Sequence, residues 1–219
     1  MMAPRSVKNS ERPTPRLYLV TPPLDAPSVA ANLTAAVAAG DVAAVLARLP
    51  HGDDATLIER LRAIAPAVQD QGVALLIDGR ADLVAPVGAD GAHVAGTEAL
   101  AAALPLLKPR YIAGCGALAS RHDAMTAGER GADYVMFGEP GANRRRPSIE
   151  AVLDRVAWWA ELFEIPCVGW AANLDEVAGL AAAGADFIAL GDFVWTGVGD
   201  PGGAVAEATS RLGVADAVS

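Results

Sequence analysis

One supersecondary unit recurs eight times along the chain: a short apolar strand, a polar or glycine-containing corner, and an amphipathic, alanine-rich helix. The strands read LYLVT (17–21), VAAVL (42–46), VALLI (73–77), GAHV (91–94), YIAGC (111–115), DYVMF (133–137), PCVGW (166–170) and DFIAL (186–190). Uninterrupted apolar runs of this length suit parallel strands, which are covered by helices on one side and by packed side chains on the other. Eight such units within 219 residues leave room for little except an α/β fold of one kind, a single (β/α)8 TIM barrel. In that fold the chemistry sits on the loops that follow the strands.

Helix boundaries follow from caps and breakers. The pattern predicts helices over 28–39, closed by Gly40, and from Asp53 or Asp54 to Gln71, closed by Gly72. A third, over 81–87, is interrupted by Pro86, and a fourth follows Gly96 with Thr97 as its cap. The remaining four are expected over 120–130, 148–163, 173–184 and 202–211. The phrase Gly-Ala-Asp recurs at 88–90, 131–133 and 184–186, always at a helix-to-strand corner. Glycine supplies the left-handed turn there and the aspartate ends it, so these acids are expected at the bottom of the barrel in structural roles. The barrel is expected to span 16–213, with residues 1–15 as a disordered polar tail.

Hydrophobic residues make up 53% of the chain, enough for a large core, whereas aromatics at 5% provide no platform for stacking bases. A net charge of −9 argues against nucleic-acid and anionic-membrane partners, but a local arginine cluster leaves a small phosphorylated ligand open. No apolar run is long enough to span a bilayer, and the first residues lack the apolar segment of a signal peptide, so a cytoplasmic location is expected. Cys115 and Cys167 lack metal-type spacing and read as small buried hydrophobes.

The loops after the strands supply the candidates. Asp78 and Glu98 lie on neighbouring loops, where they are read either as a Mg2+ pair or as an ion-pair partner of Arg80 and a helix-capping acid. Arg144, Arg145 and Arg146 form the dense basic run of an acidic chain, which suits forked contacts with phosphate but also a solvated surface. The starts of the last two helices, near Ala172, Asn173, Gly191 and Asp192, offer backbone N–H groups to an anion. His93, within the fourth strand, is read as a hydrogen-bonded core residue or as a base. Of Trp158 and Trp159, at least one is expected to pack against a neighbouring helix or a partner subunit, a homodimer being one such partner.

The phrases L-Y-L-V-T (17–21), L-L-I-D-G-R-A-D-L (75–83), V-G-A-D-G-A-H-V (87–94), G-A-D-Y-V-M-F-G-E-P (131–140) and G-A-D-F-I-A-L (184–190) together resemble the thiamine-phosphate synthases and the related TenI-type thiazole tautomerases. The resemblance runs from about Arg16 to Arg211. It implies a (β/α)8 barrel that joins a pyrimidine methyl diphosphate to a thiazole phosphate with Mg2+, releasing diphosphate. It further implies catalytic roles for Arg48 and His93, phosphate-binding roles for Arg80 and Gly116, and roles for the loop and metal positions above. Several family letters differ. Of the strand-two pattern Gln-x-Arg-x-Lys only Arg48 is present, between Leu46 and Pro50. Asp78-Gly79 stands for Asn-Asp, Glu98 for Asp, Gly116 for Ser, and Asn143-Arg144-Arg145-Arg146 for Thr-x-Thr-Lys. Ala171-Ala172 replaces Gly-Gly, Asp192 replaces Ser, and the tautomerase His position is Leu118, with His122 one turn later. The leading functional expectation is therefore a synthase-like protein with altered catalytic letters. The alternatives are a non-catalytic barrel that binds a ligand or partner, and an isomerase or tautomerase of altered chemistry using His93 or Asp78 as base.

Overall fold

Each apolar run becomes one strand of a closed parallel barrel in the computed structural model, which describes residues 13–25, 28–141, 145–196 and 200–216. The strands are β1 (Arg16–Val20), β2 (Val42–Ala47), β3 (Ala74–Asp78), β4 (Gly91–Ala95), β5 (Ile112–Gly116), β6 (Tyr134–Phe137), β7 (Cys167–Ala171) and β8 (Phe187–Leu190). They pair in chain order, and β8 returns to β1 with Leu17 opposite Ile188, so no strand edge is left open. Around them lie α1 (Ser28–Ala38), α2 (Asp54–Gln69), α3 (Val84–Val87), α4 (Gly96–Leu107), α5 (Arg121–Arg130), α6 (Ile149–Leu162), α7 (Asp175–Ala182), α8 (Phe193–Thr196) and α9 (Pro201–Asp216).

The period-two alternation of a strand divides the core in two. Tyr18, Val20, Ala44, Leu46, Leu76, Tyr134, Met136, Val168, Trp170 and Ala189 fill the barrel's inside. Their neighbours Leu17, Leu19, Val45, Leu75, Ile77, Val135 and Ile188 pack outward with the helices, in a second and larger cluster. Alanine carries much of the contact layer because helices must lie close on the sheet.

Capping explains the helix starts that the sequence makes legible. Asp53 accepts the Thr56 N–H at 3.0 Å, Ser120 and Asp123 form a reciprocal capping box, and Ser148 accepts from Ala151. Other ends differ from expectation. The predicted third helix is a 3₁₀ turn (Ala81–Leu83) running into the four-residue α3, since Pro86 allows no longer ladder. The fourth starts at Gly96 behind Ala95, so Thr97 lies inside its first turn and caps nothing. Asn173 lies outside α7, and its side-chain oxygen accepts the Asp175 N–H at 2.9 Å in an Asx turn. The loop after β8 carries a helical turn of its own, α8, and the last helix extends to Asp216.

The Gly-Ala-Asp corners repeat one device three times. Asp90 accepts the Leu75 N–H at 2.7 Å, Asp133 the Ala113 N–H at 2.7 Å and Asp186 the Cys167 N–H at 2.8 Å. In each case the acid that opens one strand satisfies an amide on the preceding strand. Trp159 is fully buried, donates to the Ile165 carbonyl at 2.7 Å and stacks on Phe163. Trp158 is half-buried and carries the Arg121 guanidinium over its ring, which ties α6 to α5. Cys115 and Cys167 are both buried. Among the described residues no helix is long and apolar enough to cross a membrane.

Candidate functional site

At the C-terminal mouth of the barrel lies a cavity of about 560 Å³, lined by Arg48, Asp78, His93, Glu139 and Asp192 together with Val20, Leu46, Met136, Trp170 and loop residues. Asp78 is the last residue of β3 and pairs in register with His93 on β4. Arg48 follows β2, where its side chain donates to the Thr21 carbonyl and its N–H to the Thr21 hydroxyl.

The inner face of β5 makes the space. A methyl group on Gly114 would lie 2.1 Å from the Tyr134 ring, and one on Gly116 would lie 1.8 Å from Glu139 Oε1 and 2.6 Å from His93 Nε2. The two bare positions therefore admit Tyr134 and, one layer higher, Glu139. Glu139 Oε1 accepts the Ala117 N–H and stands 3.8 Å from His93 Nε2. Ala117 has a φ of +52°, the sole non-glycine with positive φ among the described residues, so backbone strain coincides with this contact.

Beneath the cavity a hydrogen-bonded chain crosses the barrel: Tyr18 Oη to Tyr134 Oη at 2.8 Å, then Tyr134 Oη to His93 Nδ1 at 2.9 Å. This leaves Nε2 as the imidazole nitrogen directed toward Glu139. Burial raises both tyrosines above their ordinary pKa and so keeps the hydroxyl protons in the chain. Burial likewise pushes the Asp78 carboxyl upward; His93 and Arg48 oppose this, and Glu139 adds to it. The Cys115 thiol is pushed up to about 11, first by burial and then by the Glu139 charge, so it is not a nucleophile at neutral pH.

The sequence-predicted anion contacts are arranged around the protein's own carboxylates. Arg48 pairs with Asp192 across the mouth. Arg80 pairs with Asp54 and Asp82 and is absent from the cavity lining. Arg146 Nη1 donates to both carboxylate oxygens of Glu176 at 2.8 Å, and the same Glu176 accepts the Ala172 N–H at 2.9 Å. Arg145 lines a neighbouring hollow of about 240 Å³ that shares Ala117, Met136, Glu139 and Gly141 with the main cavity. Arg144 lies outside the described residues. A methyl group on Gly191 would lie 2.6 Å from the Trp170 indole, so the bare backbone there lets the ring lie against it.

For Mg2+, the donor set does not fit as a pair. Asp78 lines the cavity, whereas Glu98 is exposed on the first turn of α4 and is absent from that lining. Among the described residues no three His, Cys, Asp or Glu side chains converge on a common point. Glu139 was legible as a loop acid but carried no signal of its inward position, which depends on the missing side chain at 116.

Residues 17–194 match the family model described as thiamine monophosphate synthase. A thiamine-phosphate synthase of Rhodospirillum centenum is 39% identical over 202 residues, covering 88% of this chain and 95% of the relative. Another from Hyphomonas neptunium is 37% identical over 203 residues, covering 89% and 92%. A solved structure of a thiamine phosphate pyrophosphorylase from Pyrococcus furiosus shares the fold, with a TM-score of 0.75 at 21% identity over 91% of this chain and 96% of that one. The match over most of the barrel, together with relatives of this identity and coverage, places the chain in the thiamine monophosphate synthase family.

Proposed function

We propose that the barrel mouth carries thiamine-phosphate synthase-like chemistry: a pyrimidine methyl diphosphate meets a thiazole phosphate in the cavity above His93. The observation that carries this is the convergence of Arg48, Asp78, His93 and Asp192, from four different strands and the loops that follow them, on one cavity at the C-terminal face. In the proposed reaction the methylene–oxygen bond breaks and diphosphate leaves with the electron pair. The thiazole nitrogen then donates its lone pair to the methylene carbon and becomes a ring cation. Val20, Leu46, Met136 and Trp170 exclude water from the electron-poor carbon. Asp78 and Glu139 place negative charge beside it, and Tyr134 holds the His93 ring in position through Nδ1. Arg48 is the guanidinium placed for the departing diphosphate, once it exchanges Asp192 for the ligand. Mg2+, implied by the family resemblance, would be held by the Asp78 carboxylate together with oxygens of the diphosphate, where it would neutralise the charge of the leaving group.

The test is a coupling assay with the purified full chain, both substrates and Mg2+, reading thiamine phosphate by mass. Product that disappears on chelation is the expected result; a folded sample that yields none overturns the synthase proposal. The self-filled anion contacts of Glu139, Glu176 and Asp192 favour a second reading, a barrel that binds a ring ligand without turnover. Ligand-dependent thermal stabilisation in the absence of product distinguishes it.

A further inference from the structure

Thr21 ends the phrase L-Y-L-V-T just past β1, fully buried and absent from the cavity lining. The β1–β2 register runs to Val20 opposite Leu46, and the Thr21 N–H still reaches the Leu46 carbonyl at 3.0 Å. The next step of a parallel ladder would send the Arg48 N–H to the Thr21 carbonyl. It goes instead to the Thr21 hydroxyl, at 3.1 Å, and the carbonyl accepts from Arg48 Nε. A side-chain oxygen has thus taken the place of a backbone oxygen in the ladder and released that oxygen to a guanidinium. The Arg48 carbonyl in turn accepts the Leu24 N–H at 3.0 Å, so the backbone of Arg48 is held on both sides. With Nε fixed as well, the guanidinium is anchored by its inner edge, and Nη2 extends to Asp192 on the cavity wall. An arginine that grips a ligand loses rotamer freedom on binding; one already held by Nε has lost much of it beforehand.

We infer that Thr21 is the positioning residue of Arg48: its hydroxyl satisfies the Arg48 N–H, so that its carbonyl can orient the guanidinium toward a phosphate group at the mouth. This rests on the proposal that Arg48 serves the diphosphate of the coupling reaction. Thr21 is enclosed and acts only through Arg48. Without the hydroxyl, the Arg48 N–H and Nε compete for one carbonyl. An amide left unpaired away from water costs more than a guanidinium turned toward solvent, so the amide takes the carbonyl and the guanidinium loses its anchor. Serine at this position keeps the oxygen; valine keeps the shape and lacks it.

The experiment is titration calorimetry on the full chain with inorganic diphosphate and Mg2+ at low ionic strength, on variants whose fold is checked by circular dichroism. Thr21→Val is expected to weaken diphosphate binding by about three- to tenfold, the size of one hydrogen bond's net contribution. Thr21→Ser is expected to stay within about 1.5-fold of the unaltered protein, since the acceptor oxygen is retained. Arg48→Ala lowers the affinity by itself, and adding Thr21→Val to it is expected to change nothing further, because the threonine acts only through the arginine. Should Thr21→Val fail to fold, Thr21→Ala removes the same acceptor and takes its place. An unchanged affinity in Thr21→Val, equal losses in the valine and serine variants, or an undiminished loss on the Arg48→Ala background each overturns the inference, as does an unaltered protein that binds no diphosphate. A fall in thermal stability alone does not support it, because packing could cause that without moving the affinity. The coupling assay separates the two proposals: product together with an unchanged affinity in Thr21→Val removes only the positioning role, whereas the expected affinities without product remove only the synthase chemistry.

Discussion

Gly114 and Gly116 face the barrel interior from alternate positions of β5, and what each lacks is filled by a functional side chain from a later strand or loop. Tyr134 reaches His93 only across the bare Gly114, and Glu139 reaches the Ala117 N–H only across the bare Gly116. The letters Gly-Cys-Gly were visible in the sequence as a strand end, but the space they leave was not, because it depends on which residue the adjacent β6 and its loop put there. Asp78, His93 and Arg48 were legible, since the strands and the residues just after them can be read directly from the repeat. Asp78 also carries a stability consequence. Its folded-state pKa lies above the ordinary carboxylate value because of burial, so the folded state holds its proton more firmly than the unfolded chain does. That contribution is present below the unfolded pKa of about 3.9 and is lost as pH rises through the folded value, where the folded state must accommodate a buried charge. Asp78→Asn is therefore expected to raise stability at pH 7, with the advantage shrinking toward pH 4. Urea denaturation at the two pH values measures it, and equal midpoint shifts at both would contradict the assignment.

The elements are joined by corner aspartates, each of which ties two strands together. Because Gly-Ala-Asp repeats at the same point of the βα unit, sequence alone separated these acids from the catalytic candidates, and their hydrogen bonds to Leu75, Ala113 and Cys167 give the role a geometry. Removing the Asp186 carboxylate leaves the Cys167 amide without its acceptor. Asp186→Ala is expected to cost about 1–3 kcal/mol in chemical denaturation, and Asp186→Asn, which keeps one oxygen, clearly less. Equal losses for the two variants would mean that the carboxylate's charge, not its acceptor oxygen, is what the corner uses. Helix starts were legible where a side-chain cap exists, as at Asp53, Ser120 and Ser148. They were displaced where the N-cap residue makes no side-chain cap, as before Gly96, or where an Asx turn precedes the helix, as at Asp175. Periodicity locates a helix, but only its end contacts fix the first residue.

Across the whole molecule, the repeat determined the barrel and the barrel determined where the mouth is; neither determined the charge inside it. That charge comes from pairings between distant units, which a strand-by-strand reading does not contain: Arg48 after β2 with Asp192 after β8, and Arg146 before α6 with Glu176 on α7. The Arg48–Asp192 contact joins the segments after β2 and β8, on either side of β1, and pairs the guanidinium at the mouth with a carboxylate. The pair is partly solvated, with the Asp192 side chain 65% exposed, so its coupling belongs to the surface class of about 0.2–1 kcal/mol. Asp192→Ser removes the competing carboxylate and returns Arg48 to incoming anions. The affinity for inorganic diphosphate, measured by calorimetry at low ionic strength, is expected to rise by about 1.4- to 5-fold, the range those energies allow. The gain should fade at high salt, where exposed charges are screened. If the affinity is unchanged at low salt, the Thr21 carbonyl, which accepts from Arg48 Nε, and not Asp192, limits how far the guanidinium reaches toward an anion.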